Sequence, residues 1–277
     1  MTDYLEHKFD WANPEVNWIY NDLPQWSAMC GLVLLKHVPL HRNLRVLDLG
    51  CGDGFPTLEI AQRLGTSSRV IGIDPWSDAI RKARRKAEVM SIPNVDFVEG
   101  DAAGMPFEDH SFDLIASNLL VNNLANRDAV LSECRRVAKP DAILSWGTNL
   151  REHMPEFYSV FEMTLQQLGM KDALAKLTEH VQKRVTIKGL NEKMVEFGFT
   201  PTRSEIEMTS FRFLDGSTML RHFIIKEAFL DDWRRLLDPT AEKTVFRRME
   251  QELNQRAAKN GELRLSVPMA YIEGRRI

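Results

Sequence analysis

Three glycines at alternate positions, Gly50, Gly52 and Gly54, follow the apolar run Val46-Leu47-Asp48-Leu49, and the acids Asp48 and Asp74 stand on either side of them. Glycine lets a chain turn sharply and lets backbone approach a ligand with no Cβ in the way. A helical pattern starts directly afterwards, so the free N–H groups of a helix N-terminus face the same space. Asp74 closes the second apolar run, twenty residues after Gly54, where a carboxylate can accept hydrogen bonds from both hydroxyls of a ribose. A dinucleotide fingerprint, G-x-G-x-x-G, requires glycine at position 55, which is Phe55 here. The acid two residues before Gly50 suits a ligand with a cationic group and disfavours a pyrophosphate. Amino acid plus ribose fits this pattern better than a dinucleotide, and the combined features count against a purely structural turn.

The elements that position these residues follow from periodicity. Short apolar runs at 46–49, 69–73, 95–98, 112–116 and 142–146 alternate with helical patterns at 57–64, 77–90 and 128–137. Such alternation predicts right-handed crossovers and a doubly wound, mostly parallel sheet covered on both faces, with ligands beyond the carboxyl ends of its strands. The alternation stops near Asn149. Phe157, Val160, Phe161, Leu165 and Leu168 then mark a helix over 153–168 that ends at Gly169, and a shorter helix over 190–197 ends at Gly198. A strand over 202–213, helices over 217–237 and 241–258, and a last strand over 263–274 complete the pattern. The first 42 residues stand outside the alternating core and carry Tyr4, Phe9, Trp11, Trp18, Tyr20 and Trp26.

Composition narrows the class. The chain has 277 residues, 44% hydrophobic and 27% charged, which is ordinary for a soluble globular protein. A net charge of −3 gives no general reason to expect nucleic acid or an anionic membrane as partner. The basic run Arg81 to Lys86 shares a helix with the apolar stripe Ala79, Ile80, Ala83, Ala87 and Met90, so its charges belong to a solvated face. Cys30, Cys51 and Cys134 lie far apart with no metal-binding spacing, which fits reduced thiols and no metal site. The polar start and the absence of a long apolar run make a cytoplasmic location the expectation.

"VLDLGCGDG", "VIGIDPW", "VEGDAAGMPFEDHSFDLIASNLLVNNL" and "RVAKPDA", in that order, resemble the class I S-adenosylmethionine-dependent methyltransferases. The small-molecule branch that contains the ubiquinone and menaquinone biosynthesis methyltransferases is the most similar. The resemblance covers about residues 44–150 and, more loosely, the strands near 200–213 and 263–274. It implies a Rossmann-like α/β fold with a seven-stranded sheet whose last strand is antiparallel, and S-adenosyl-L-methionine as cofactor. Carried over by position, Asp48, Gly50 and Gly52 would line the methionine pocket and Asp74 would bind the ribose. Pro75 and Trp76 follow, with Trp76 against the adenine. Asp101 and the Ala102 backbone would recognise the adenine amino group, and Asn118 and Leu119 would line the cofactor. Trp26, in the segment "LPQWSAMCGL", would belong to a lid over the cofactor, the alternative being that Trp18 and Trp26 are core residues of an N-terminal helix pair.

One departure from the family pattern stands at "SNLLVNNL". Histidines common in relatives are replaced by Asn122 and Asn123, and amides cannot take a proton. His153, just beyond the fifth strand, is then the candidate base for a weakly acidic acceptor, the alternative being the structural role that a lone histidine usually has. The expected organisation is an N-terminal helical lid (1–42), a cofactor-binding α/β core (43–150), and a helical substrate cap with the last two strands (151–277). The function expected is methyl transfer to a small, apolar or aromatic molecule. A non-catalytic module binding S-adenosylmethionine or S-adenosylhomocysteine, and a nicotinamide-dependent oxidoreductase, are the alternatives; Phe55 and Asp48 count against the latter.

Overall fold

A computed structural model describes residues 3–6, 25–124 and 126–277. Seven strands, β1 (Arg45–Leu49), β2 (Arg69–Asp74), β3 (Val95–Glu99), β4 (Phe112–Asn118), β5 (Ala138–Asn149), β6 (Phe199–Phe213) and β7 (Leu263–Arg276), form one sheet in the order β3-β2-β1-β4-β5-β7-β6. β1 pairs in parallel with β2 through Leu49↔Ile73 and with β4 through Leu49↔Ser117. The strand order therefore reverses between β1 and β4, the place where ligands bind in doubly wound sheets. β7 runs antiparallel to β5, from Ile143↔Arg275 to Asn149↔Met269.

Burial explains why the first strands form. Val46, Leu47, Val70, Ile73, Leu114 and Ile115 are almost wholly buried, as a sheet covered on both faces requires. Each such side chain contributes about 1.5–3 kcal/mol on burial. The flanking helices α2 (Thr57–Leu64), α3 (Ser77–Val89) and α4 (Arg127–Val137) present apolar stripes to it. On α3 the buried residues are Ala79, Ile80 and Ala83, while Arg81, Arg84 and Arg85 are exposed, which gives the basic run its solvated face.

Internal contacts divide the chain into two units. The sheet unit holds the described residues up to Leu150 from Gln25 onward, with Val185–Glu207, which carries α7 (Ile187–Glu196), and Met269–Ile277. Its first helix, α1 (Gln25–His37), buries Trp26, Cys30, Val33 and Leu34. α1 lies close on β5: a Cβ added at Gly147 would fall 3.0 Å from the Cys30 sulfur. Residues 25–42 thus pack with the sheet. Phe9, Trp11, Trp18 and Tyr20 of the expected lid lie outside the described residues.

The helical unit contains Arg151–Arg184 and Met208–Pro268 together with the short 3-10 turn Asp3–Glu6. It includes α5 (Pro155–Gln167), α6 (Lys171–Gln182) and α11 (Glu242–Asn260). Phe157 stacks on Trp233 at 3.9 Å, and the Trp233 indole donates to the Tyr158 hydroxyl at 2.9 Å. Arg221 ties Asp3 (2.7 Å) and Glu250 of α11 (2.9 Å), which docks the N-terminal turn. The helix expected over 217–237 is instead segmented. α8 (Gly216–Arg221) ends at His222, whose ψ of 137° is extended; α9 (Phe223–Ile225), a π-helical stretch (Lys226–Leu230) and α10 (Asp231–Arg235) follow. Among the described residues no helix is long and apolar enough to cross a membrane.

Candidate active site

The glycine turn joins β1 to α2 at the carboxyl end of the sheet. Gly50 and Gly52 have φ of 68° and 51°, a left-handed region in which a side chain is strained. The Gly50 and Cys51 amides both donate to the Ile73 carbonyl (2.8 and 3.1 Å), which clamps the turn to the end of β2. The clamp demands a small residue beneath it: a Cβ on Gly72 would lie 2.8 Å from the Cys51 sulfur. A Cβ on Gly52, by contrast, would meet nothing within 4 Å, so the backbone there faces open space.

Asp74 is fixed by two backbone donors, Gly52 N–H on Oδ2 and Trp76 N–H on Oδ1, each at 3.0 Å. Each carboxylate oxygen keeps acceptor capacity beyond that one bond. Burial raises its pKa, opposed by these two backbone bonds. The two acids also feel each other, and the repulsion from Asp74 is one of the influences raising Asp48.

Asp48 carries the strongest electrostatic signature of the turn. It is fully buried, and its Oδ2 accepts from the Thr57 hydroxyl at 2.5 Å. Its Oδ1 is buried with no hydrogen-bond partner. Burial pushes its pKa from the ordinary 3.8 up to about 7, with the Thr57 bond pulling down and Asp74 pushing further up. A nearby cation would reverse that shift. Thr57, itself fully buried at the start of α2, is a partner of Asp48 that glycine spacing did not mark. Its only sequence signal is a hydroxyl residue opening the helix after the turn. Asp53, between the glycines, is 7% exposed and pairs with Lys86 of α3, anchoring the turn from its outer side.

The other candidates fall at neighbouring strand ends in the same unit. Asp101 follows β3, is exposed, and accepts from the Ala103 amide at 2.9 Å through Oδ1; Ala102 beside it is buried. Pro75 is exposed and Trp76 is 53% exposed at the start of α3. Asn118 ends β4. Its Nδ2 donates to the Ser27 carbonyl of α1 at 3.0 Å, and its Oδ1 is buried without a partner. Leu119 adopts φ of 64°, a rare conformation for a leucine, held by its amide on the Gly147 carbonyl at 2.7 Å. Trp26 is 7% exposed on α1, the helix that carries Ser27.

Asn122 has a positive role where a proton acceptor is missing. Its amide donates to the Thr148 hydroxyl (2.9 Å), the Asn149 carbonyl (2.9 Å) and Asn149 Oδ1 (3.1 Å), tying the turn after β4 to the end of β5. His153 belongs to the helical unit. It is 3% exposed, with its ring centroid 6.0 Å from those of Tyr158 and Phe229. No cluster of three or more metal-ligating side chains occurs among the described residues.

A methyltransferase-domain family matches residues 40–193, more than half of the chain. The chain belongs to this family. It is 28% identical over 214 residues to the 2-phytyl-1,4-naphtoquinone methyltransferase of Trichormus variabilis, covering 72% of this chain and 92% of that one. It is also 28% identical over 159 residues to the demethylmenaquinone methyltransferase of Lactococcus lactis, covering 57% and 61% respectively. Among solved structures, the YcgJ protein of Bacillus subtilis matches with a TM-score of 0.57 at 16% identity, covering 90% of this chain and 98% of that one. A SAM-dependent methyltransferase of Aquifex aeolicus matches at 0.53 and 20% identity, covering 71% and 92%. At these identities the structural likeness shows the fold.

The protein is an S-adenosylmethionine-dependent methyltransferase, and its residues fit that cofactor. The unpartnered oxygen of Asp48 matches an ammonium group, the space over Gly52 admits a ligand against backbone, and the tethered Asp74 offers lone pairs to two ribose hydroxyls.

Proposed function

We propose that this methyltransferase acts on a small apolar or aromatic acceptor of the quinol type. The observation that carries the assignment of the cofactor ends is Asp48, a fully buried acid with one oxygen unsatisfied beside a positive-φ glycine turn. The cofactor supplies the electrophilic methyl group. The protein's own work is alignment: Asp48 takes the ammonium, Asp74 the ribose, Asp101 with the Ala102 amide the adenine, and Trp76 covers the ring. Asn118 and Leu119, at the end of β4, and Trp26 on α1 complete the lining. Holding an acceptor atom in line at about 3 Å can contribute roughly 7–11 kcal/mol.

Support for the acceptor class comes from two relatives named as methyltransferases of 2-phytyl-1,4-naphtoquinone and of demethylmenaquinone. His153 is the candidate base for an acceptor that arrives protonated. It serves in that role when the acceptor's hydroxyl comes within hydrogen-bond reach of the ring, and an acceptor that ionises unaided leaves it a packing role. A cytoplasmic location fits the same reading. The test is incubation with trideuteromethyl S-adenosylmethionine and a reduced naphthoquinone, read by mass spectrometry. A labelled product formed by the native enzyme and lost with Asp48→Asn supports the assignment. No label in the quinol, with label appearing in another metabolite of an extract, would replace the acceptor class.

A further inference from the structure

Thr57 carries a hydroxyl at a wholly buried position, where valine would give the same shape without one. It is the first residue of α2, and a hydroxyl at a helix start ordinarily serves the free N–H groups of its own helix. Here the N-cap is Pro56 and no side chain caps α2. The Thr57 hydroxyl instead reaches nine residues back into β1 and donates to Asp48 Oδ2 at 2.5 Å, one fully buried group on another. Burying a hydroxyl and a carboxyl is costly unless they pair. The bond engages one oxygen of the acid and leaves Oδ1 without a partner.

We propose that Thr57 is a positioning residue, whose hydroxyl holds the Asp48 carboxylate in the orientation and charge state that receive the cofactor's ammonium group. This rests on the assignment of Asp48 proposed above and deepens it. A carboxylate tied at one oxygen by a side chain that is itself packed keeps one orientation without help from the ligand. A hydroxyl that donates to a carboxylate also favours its ionised form. The surroundings push the other way. Burial and the repulsion from Asp74 at the end of β2 both favour the neutral acid, and the Thr57 bond opposes them. Cys51 of the turn adds no charge, because burial and the neighbouring acids hold its thiol protonated. Asp53 is paired with Lys86 of α3. Among the described residues, Thr57 is therefore the hydrogen-bond donor that lets a buried acid carry its charge near neutral pH.

The test uses the full chain and three variants. Thr57→Val keeps the shape without the hydroxyl, Thr57→Ala repeats the loss with a smaller side chain, and Thr57→Ser keeps the donor. Carbon-13 NMR of protein labelled at the aspartate carboxyls reads the ionisation of Asp48 without ligand, its resonance being the one missing in Asp48→Asn. Loss of a hydrogen bond to a charged group should raise the midpoint by about one to two pH units in the valine and alanine variants, and serine should restore it. From a midpoint of about 7, such a rise leaves about one-tenth to one-hundredth of Asp48 ionised at pH 7, in place of about half. S-adenosylhomocysteine should then bind about 5–50-fold more weakly at that pH. An unmoved midpoint without the hydroxyl, or a serine variant that titrates like valine, would overturn the role of Thr57 and leave the assignment of Asp48 standing. A raised midpoint with unchanged S-adenosylhomocysteine affinity at pH 7 would overturn the proposal through Asp48 itself.

Discussion

Replacing Asp48 by asparagine removes the buried charge proposed to meet the cofactor's ammonium beneath the glycine turn. In the free protein burial holds the Asp48 pKa at about 7, against an ordinary 3.8. An ammonium beside the unpartnered Oδ1 favours the ionised form, so binding releases a proton wherever the free acid was protonated. Affinity for S-adenosylhomocysteine should therefore rise with pH up to about 7, by as much as about tenfold per unit, and level off until the ligand's amine deprotonates near 8. Between about pH 5 and 7 the limit is about 3 kcal/mol. The sign for folding is the opposite. The raised pKa means stability is fully present below about pH 4 and is lost as pH rises through 7. The upper bound is about 4 kcal/mol, taken as 3.2 units (7 minus 3.8) at 1.36 kcal/mol each. Calorimetry in buffers of differing ionisation enthalpy reads both affinity and proton release. Asp48→Asn should bind weakly, release no proton and show no slope. A native protein whose affinity is flat over this range, or a variant with the same slope, would refute the role.

Other perturbations separate binding from folding. Asp74→Ala should weaken S-adenosylhomocysteine by about 1.5–3 kcal/mol, because two ribose hydroxyls lose a charged partner, as equilibrium dialysis can check. Gly52→Ala places a methyl in open space but at φ of 51°, so it should lower ligand affinity with a stability cost of about 1–2 kcal/mol. Gly72→Ala drives a methyl to 2.8 Å from the Cys51 sulfur and should lower the thermal midpoint, with affinity falling only as the turn shifts. His153→Asn should reduce turnover by about 10²–10⁴ if the acceptor needs a base, with S-adenosylhomocysteine affinity unchanged; unchanged turnover across pH would leave the enzyme working by alignment alone.

The sheet unit is legible in the sequence because its signals are local. β1, β2 and β4 are unbroken apolar runs, and the glycine turn, Asp48 and Asp74 are fixed by spacing along one strand–turn–helix unit. Thr57 was hidden because a hydroxyl at a helix start usually serves as a cap, whereas here it bonds a buried acid nine residues back. α6 was missed since it buries only Ala173 and Leu177, too little for a clear stripe. The segmented region from 216 to 235 reads as one helix because its apolar residues keep helical spacing. The break at His222 and the π-turn are set by packing, which periodicity does not register. Glu227 looks like an ordinary surface acid in the sequence, and only its burial reveals otherwise.

The central claim is that the glycine turn with Asp48 and Asp74 holds an amino acid joined to a nucleoside, not a dinucleotide. Titration of the purified protein with S-adenosylhomocysteine and, separately, with NAD tests it most directly. Saturable S-adenosylhomocysteine binding that Asp74→Ala weakens, with no heat from NAD, is the predicted result. NAD binding, or no binding of S-adenosylhomocysteine, would contradict it.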